Sequence, residues 1–412
     1  TLYWGDSAEM ASVACSLGVP HSPGYPLFAV LMRPFTWLPV SPAFGLNVMG
    51  VLLSALAAAL LFLFLRHATR SLFAAAAGAA LLAAVPAFAF HSLAVDVYPL
   101  HLFLFGALLY CTGRHEQGGD VRWFLGALAA LSLGMAHHIL MYFVFVAYLA
   151  YCALRVGHVQ RVAGVPLLLF FGASMYNLLV SHDLAPEMRA WYLAGLGSVA
   201  VAYAVYMAYL GVKRPPVFRG GVAVLGAALF VFAAATFVFA YLPMASARGP
   251  VADWWSPDTP ANFLNLLFLK GYPPTFPGSA LELMRRVDLG GFAAQTSVLA
   301  LLVAAVGAAI MFVRRTHLAL FLLLAGAMTL AGTLLVQHGK PEALRLPVHF
   351  IAVLFAAWLI GWLMHGTVRG LGLFYIVTGI LLGLAAPLLA LFAPQVLESR
   401  LLWVIAGAAA FN

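Results

Sequence analysis

The chain has 412 residues, of which 64% are hydrophobic and 8% charged, with a formal net charge of +8. A soluble globular chain carries about 25% charged residues, so the composition excludes an ordinary soluble domain and points to a polytopic membrane protein. The basic excess lies scattered in short loops and forms no patch, which argues against nucleic acid as a partner. Cys111 and Cys152 fall inside apolar runs, so with Cys15 they give no disulfide framework.

Taken in order, the chain opens with a polar crowd, Tyr3-Trp4-Gly5-Asp6-Ser7-Ala8-Glu9 followed by Leu17-Gly18-Val19-Pro20-His21-Ser22-Pro23-Gly24-Tyr25-Pro26-Leu27. Beyond it, apolar runs of membrane-spanning length recur. They predict spans at 43–65, 71–91, 97–113, 121–136, 138–154, 162–180, 190–211, 218–242, 293–313, 317–337, 346–364 and 371–392, with another starting at 401. The fold class is therefore an all-α polytopic transmembrane helical bundle of about 12–13 spans. One span is expected before Thr1. Residues 121–154 are divided at Gly134-Met135-Ala136-His137-His138, because 34 residues in one helix would reach about 51 Å, against a bilayer core of about 30 Å.

The loops orient the bundle. With residues 1–42 outside, alternate loops carry Arg66, Arg70, Arg114, Arg122, Arg155, Arg161, Lys213, Arg214, Arg219, Arg314, Arg315 and Arg369, and nearly all carboxylates face the other side. Basic short loops belong on the cytoplasmic side, which predicts a multi-pass membrane protein with residues 1–42 non-cytoplasmic. Four segments follow: an outer loop with short interfacial helices at 1–42, an N-terminal bundle at 43–242, an outer interfacial loop at 243–292 and C-terminal spans at 293–412.

Asp6-Ser7-Ala8-Glu9 has the form of a helix capping box. Met10, Val13, Ala14 and Leu17 then give the short helix an apolar face lying on the membrane. Capping and chemistry are compatible, since the spacing leaves both carboxylates on the first turn. His21 sits among three prolines and a glycine that enforce an extended turn; it is either an idle interfacial histidine or one aimed at a ligand. Asp96 is expected at the outer mouth of a span, with His101 one turn deeper. His137 and His138 occupy the break deduced above, and ionisable groups at such depths are functional candidates. His21, His137 and His138 with Asp6 and Glu9 could together hold a divalent metal, although no HxxxH spacing supports one. Among the outward cations, Arg248 and Lys270, beside Trp254, are the candidates for a phosphate contact.

The opening run, with Asp96-Val97-Tyr98-Pro99-Leu100-His101, Leu131 to His138, and Tyr241-Leu242-Pro243 through Trp254 to Pro257, resembles the bacterial relatives of transmembrane protein O-mannosyltransferases, in the GT-C class of membrane glycosyltransferases. The resemblance covers roughly residues 3–350 and is sharpest in the first thirty. It implies a GT-C-like bundle in a plasma (bacterial inner) membrane, whose first outer loop follows a first span and carries the acidic base. The implied donor is a sugar on a polyprenyl phosphate, drawn from among the membrane lipids. Asp6 takes the role of base and Glu9 that of its orienting partner. His21, Tyr25, Asp96, His101, His137, His138, Arg248, Trp254 and Lys270 become substrate contacts. Three positions depart from the pattern: Asp96 stands in place of a Glu, Ala245 in place of an Arg after Tyr-Leu-Pro, and Ala136 in place of an Asn. These departures leave open a non-catalytic subunit of a larger membrane complex. A transporter fits less well, because the carboxylates sit at span ends rather than at the midplane.

Overall fold

The computed structural model describes residues 5–155, 166, 186–268, 279, 282, 286–335 and 341–364. Lys270 and the expected spans at 162–180, 371–392 and from 401 lie outside the described residues. Those described are helical with short connections, and their only β pairing is an isolated bridge between Val19 and Asp253. This is the all-α bundle that the composition predicts. Five described helices are long and apolar enough to cross a membrane: Pro42–Thr69, Arg189–Lys213, Pro215–Ser246, Thr316–Leu334 and Leu346–Met364. Two bent pairs raise the count to seven if each is one span.

The expected span at 71–91 is one of these pairs. It divides into α4 (Leu72–Ala83) and α5 (Pro86–Leu93), which meet at 69°. Pro86 lacks an N–H and holds Val85 in extended backbone, so the helix cannot continue through them. The expected span at 293–313 bends by 88° between Gly290–Thr296 and Val298–Arg314. There Ser297 takes a φ of 65° and its hydroxyl oxygen accepts the Ala300 N–H, capping the second helix. The break expected near residues 134–138 lies between α7 (Val121–Met135) and α8 (Leu140–Arg155).

Small residues let the spans approach closely. Helix α3 (Pro42–Thr69) runs alongside α6 (Tyr98–Gly118) in the same direction, Gly106 facing Leu60 and Gly113 facing Phe64. A Cβ on Gly307 would stand 2.1 Å from the Phe355 carbonyl oxygen, so helices Val298–Arg314 and Leu346–Met364 touch backbone to backbone. The latter helix is central and the helix Arg189–Lys213 peripheral, with apolar side chains such as Trp191 and Val201 facing outward.

The first outer segment is folded onto this bundle. In α1 (Ser7–Ser16), Met10, Val13 and Ala14 share one face and join the main core. That face therefore packs against α2 (Pro26–Met32) and α3 rather than lying on a membrane surface. Arg33 donates to the Ala14 and Cys15 carbonyls at the far end of α1, where a cation suits the helix terminus.

Candidate active site

The capping box does not form. Asp6 is the N-cap of α1, but its side chain makes no capping bond, and Glu9 turns the other way. Glu9 Oε1 accepts the His21 backbone N–H at 2.7 Å, and Oε2 accepts His21 Nδ1–H at 2.8 Å. Burial opposes both charges, yet the hydrogen bonds and charge of each partner outweigh it. Glu9 is held below the ordinary carboxyl value, helped by a hydrogen bond from the Trp254 side chain. His21 is raised above the ordinary imidazole value, with Asp6 and Asp96 adding to the effect of Glu9. The turn that presents His21 has Gly24 at φ 89° and Tyr25 at φ 36°. Gly24 packs so closely on Leu242 and Leu266 that a Cβ would meet both at 3.0 Å.

Below His21 lies a sealed group of aromatic and imidazole rings. Tyr25 touches His21 edge-on at 5.3 Å between centroids, and on its other side meets His137 at 5.9 Å and His138 at 6.0 Å. His138 packs against His101 at 4.7 Å and Tyr98 at 5.5 Å. His101, His137 and His138 are all buried, and both ring nitrogens of His101 lack a hydrogen-bond partner. A backbone reason exists for two of these positions. His137 Nε2–H donates to the Val97 carbonyl at 2.9 Å, and His138 Nδ1 accepts the Leu140 N–H, capping the start of α8.

Asp96 is not a mouth-level carboxylate but a sealed one, 2% exposed. Its Oδ1 accepts the Val97 N–H at 2.8 Å and its Oδ2 accepts His91 Nδ1–H at 2.9 Å. The sequence reading passed over His91 because it lies inside an apolar run. A lone histidine five residues ahead of Asp96 was the available signal. Ser7 was missed for a similar reason, since it reads as part of a cap. Its hydroxyl is buried and donates to the Val95 carbonyl at 3.0 Å.

Residues 241–254 clamp the segment that carries His21. The Val19 N–H donates to the Ala252 carbonyl at 2.7 Å, the Trp254 N–H to the Val19 carbonyl at 3.2 Å, and the Tyr241 hydroxyl to the Gly18 carbonyl at 2.8 Å. Trp254 thereby reaches His21, edge-on at 6.2 Å. Arg248 adds to this clamp: its Nη2 donates to the Leu17 carbonyl at 3.0 Å, in an exposed contact. The expected boundary at 242/243 also falls within a helix, Tyr241–Ser246.

The structure thus brings Asp6, Glu9, His21, Tyr25, Asp96, His101, His137, His138 and Trp254 to one end of the bundle. Asp6, Glu9 and His21 each offer a ligand atom within 4.8 Å of the others, the one such metal-capable group among the described residues. Two carboxylates and an imidazole suit a divalent ion, although Glu9 already uses both oxygens on His21. His137 and His138 are not part of that group.

Fold and site together define a multi-pass helical membrane protein in which Asp6, Glu9, His21, Asp96, His101, His137 and His138 gather at one end of the described helices. Residues 6–158 match the family described as Protein O-mannosyl-transferase TMEM260 N-terminal domain. Over 150 residues the chain is 35% identical to the Protein O-mannosyl-transferase TMEM260 of Mus musculus, a match covering 34% of this chain and 21% of the mouse protein. The resemblance to membrane protein O-mannosyltransferases therefore holds over a segment that contains Asp6, Glu9, His21, Tyr25, His91, Asp96, His101, His137 and His138. Arg248, Trp254 and Lys270 lie beyond it.

Proposed function

We propose that the chain is a membrane glycosyltransferase that moves a sugar from a polyprenyl-phosphate donor to an acceptor hydroxyl on the non-cytoplasmic side. By analogy with the mouse relative's name, the sugar is mannose and the acceptor a protein. The observation that carries this reading is the grouping of Asp6 with the Glu9–His21 pair, above buried imidazoles, within the segment matched to the family. A phosphate leaving group is a weak base and needs no general acid, so one carboxylate in reach of the acceptor hydroxyl suffices. Asp6 is that base. Glu9 holds His21, and His21 and Trp254 contact donor or acceptor, with Tyr25 packed on His21 and the buried His137 and His138 packed on Tyr25. The sidedness is supported by the far ends of α3 and α6, which carry Arg66, Arg70 and Arg114 away from the site.

The test is Asp6→Asn in lipid nanodiscs, supplied with synthetic polyprenyl-phosphate mannose and a Ser/Thr-containing peptide. Release of polyprenyl phosphate and mannosylation of the peptide should fall by roughly 10²- to 10⁴-fold; full retained transfer removes Asp6 from the mechanism. A non-catalytic subunit is favoured by one observation: Ala245, where the pattern implies Arg, is wholly buried. Copurification of a stoichiometric partner without bound lipid phosphate would support that second reading.

A further inference from the structure

Three consecutive residues at the corner between α5 and α6 are each tied to a different part of the molecule. The Val95 carbonyl accepts the Ser7 hydroxyl of α1 at 3.0 Å. The Asp96 carboxylate accepts His91 Nδ1–H of α5 at 2.9 Å. The Val97 carbonyl accepts His137 Nε2–H from the break between α7 and α8 at 2.9 Å. All six residues are buried, Ser7 completely. The corner is a fixed point, and Asp6 is the chain neighbour of the serine pinned to it.

Helix formation does not explain Ser7. The N-cap is Asp6, and at Ser7 alanine is the better helix former. A hydroxyl sealed from water must find a partner, and this one takes a carbonyl 88 residues away. Packing alone does not explain His91 either. Its Nε2 is buried without a hydrogen-bond partner on a ring that packs edge-on against Phe90 and Tyr98, where an apolar side chain would avoid burying an unmet polar atom. What the imidazole does is hold one oxygen of Asp96 while the Val97 N–H holds the other.

We propose that Ser7 and His91 are positioning residues: Ser7 docks the first turn of α1, and so Asp6, on the 95–97 corner, and His91 keeps that corner rigid by clamping Asp96. The proposal rests on the reading of Asp6 as the base. A base displaced by a fraction of an ångström from the acceptor proton loses rate without losing substrate affinity, because the effect falls on the transition state.

The experiment compares Ser7→Ala, Ser7→Thr, His91→Phe, His91→Asn and Asp6→Asn in nanodiscs, using synthetic polyprenyl-phosphate mannose and a Ser/Thr-containing peptide. Both kcat and KM are measured, together with the unfolding temperature. Ser7→Ala and His91→Phe should each lower kcat by about tenfold or more with KM little changed. Ser7→Thr restores the hydroxyl and His91→Asn the donor, and each should recover most of the loss. Wild-type kcat in Ser7→Ala and His91→Phe, with Asp6→Asn inactive, overturns the positioning role and leaves the base in place. Full activity in Asp6→Asn overturns the base and the positioning role with it. Losses that neither conservative variant rescues, accompanied by a lower unfolding temperature, mark general destabilisation and also overturn the proposal. Should wild type not turn over this donor, amide exchange across residues 7–10 decides: faster exchange in Ser7→Ala supports the docking, and unchanged exchange overturns it.

Discussion

Helix α6 carries titratable groups at both ends, and Tyr98 and His101 at one end meet surroundings unlike those of Arg114 at the other. Tyr98 and His101, in its first turn, are sealed among other rings, with His91, Asp96, His137 and His138 around them. Sixteen residues on, about 24 Å along the axis, Arg114 is only partly buried. It donates to the Tyr110 hydroxyl at 3.0 Å and to His67 Nε2 at 3.1 Å, and lies 4.5 Å above the Trp123 ring. Cations near the membrane surface with aromatic neighbours are ordinary anchors. Polar groups buried at the other end cost free energy unless something compensates them. The contrast fits the proposed chemistry at the first end and an anchoring part for Arg114 at the second.

The comparison can be broken most directly at Glu9. Replacing Glu9 by Gln removes the carboxylate that raises the His21 pKa, and transfer should fall by roughly 10²-fold. A variant with wild-type rate would reduce the Glu9–His21 pair to a surface ion pair.

A second effect is steric and separates the ends by a single methyl group. A Cβ on Gly18 would stand 2.3 Å from the Ala252 carbonyl oxygen, forcing apart the clamp that holds His21. Gly18→Ala should cost about 1–3 kcal/mol of stability and several-fold in transfer. Gly118, in the last turn of α6, has open space where a Cβ would stand, with nothing within 4 Å. Gly118→Ala should be neutral or stabilise by up to about 1 kcal/mol, which paired thermal melts would check.

The pH response sharpens the contrast further. His21 is raised in the folded protein, so its stabilising contribution is full below its ordinary value of 6.5 and is lost as pH rises through the raised one. Glu9 is lowered, so its contribution is present above its ordinary value of 4.5 and is lost as pH falls through the lowered one. Melting temperature should therefore be highest between these limits and fall on the alkaline side. Glu9→Gln should flatten that alkaline fall; an unchanged profile would show that the pair is not coupled in solution. The smallest effect belongs to the anchoring end. Arg114→Gln should lower stability by about 0.5–1 kcal/mol through the lost ring contact and leave transfer unchanged.

Much of this molecule was legible without coordinates, because its information is local. Apolar runs longer than the bilayer is thick declare helices, and the opening acidic and histidine residues declare an unusual segment. Glu9, His21, His137 and His138 could be chosen as residues, but what each one touches could not. The capping box illustrates the limit. Asp6 to Glu9 satisfy its pattern, yet a histidine twelve residues on offers Glu9 two hydrogen bonds and wins. Likewise nothing local in the sequence shows that Arg248 meets the Leu17 carbonyl, 231 residues away.

By itself the sequence determined the class: a membrane-embedded helical chain whose polar residues are too few to be incidental. Tertiary structure alone decided which of them meet. Ser7 reaches residue 95, His137 reaches residue 97, and residues 241–254 close over residues 17–19. The physical reason is range. Hydrophobic length and helix propensity act over one span, whereas a buried hydrogen bond depends on which distant backbone group is brought within about 3 Å.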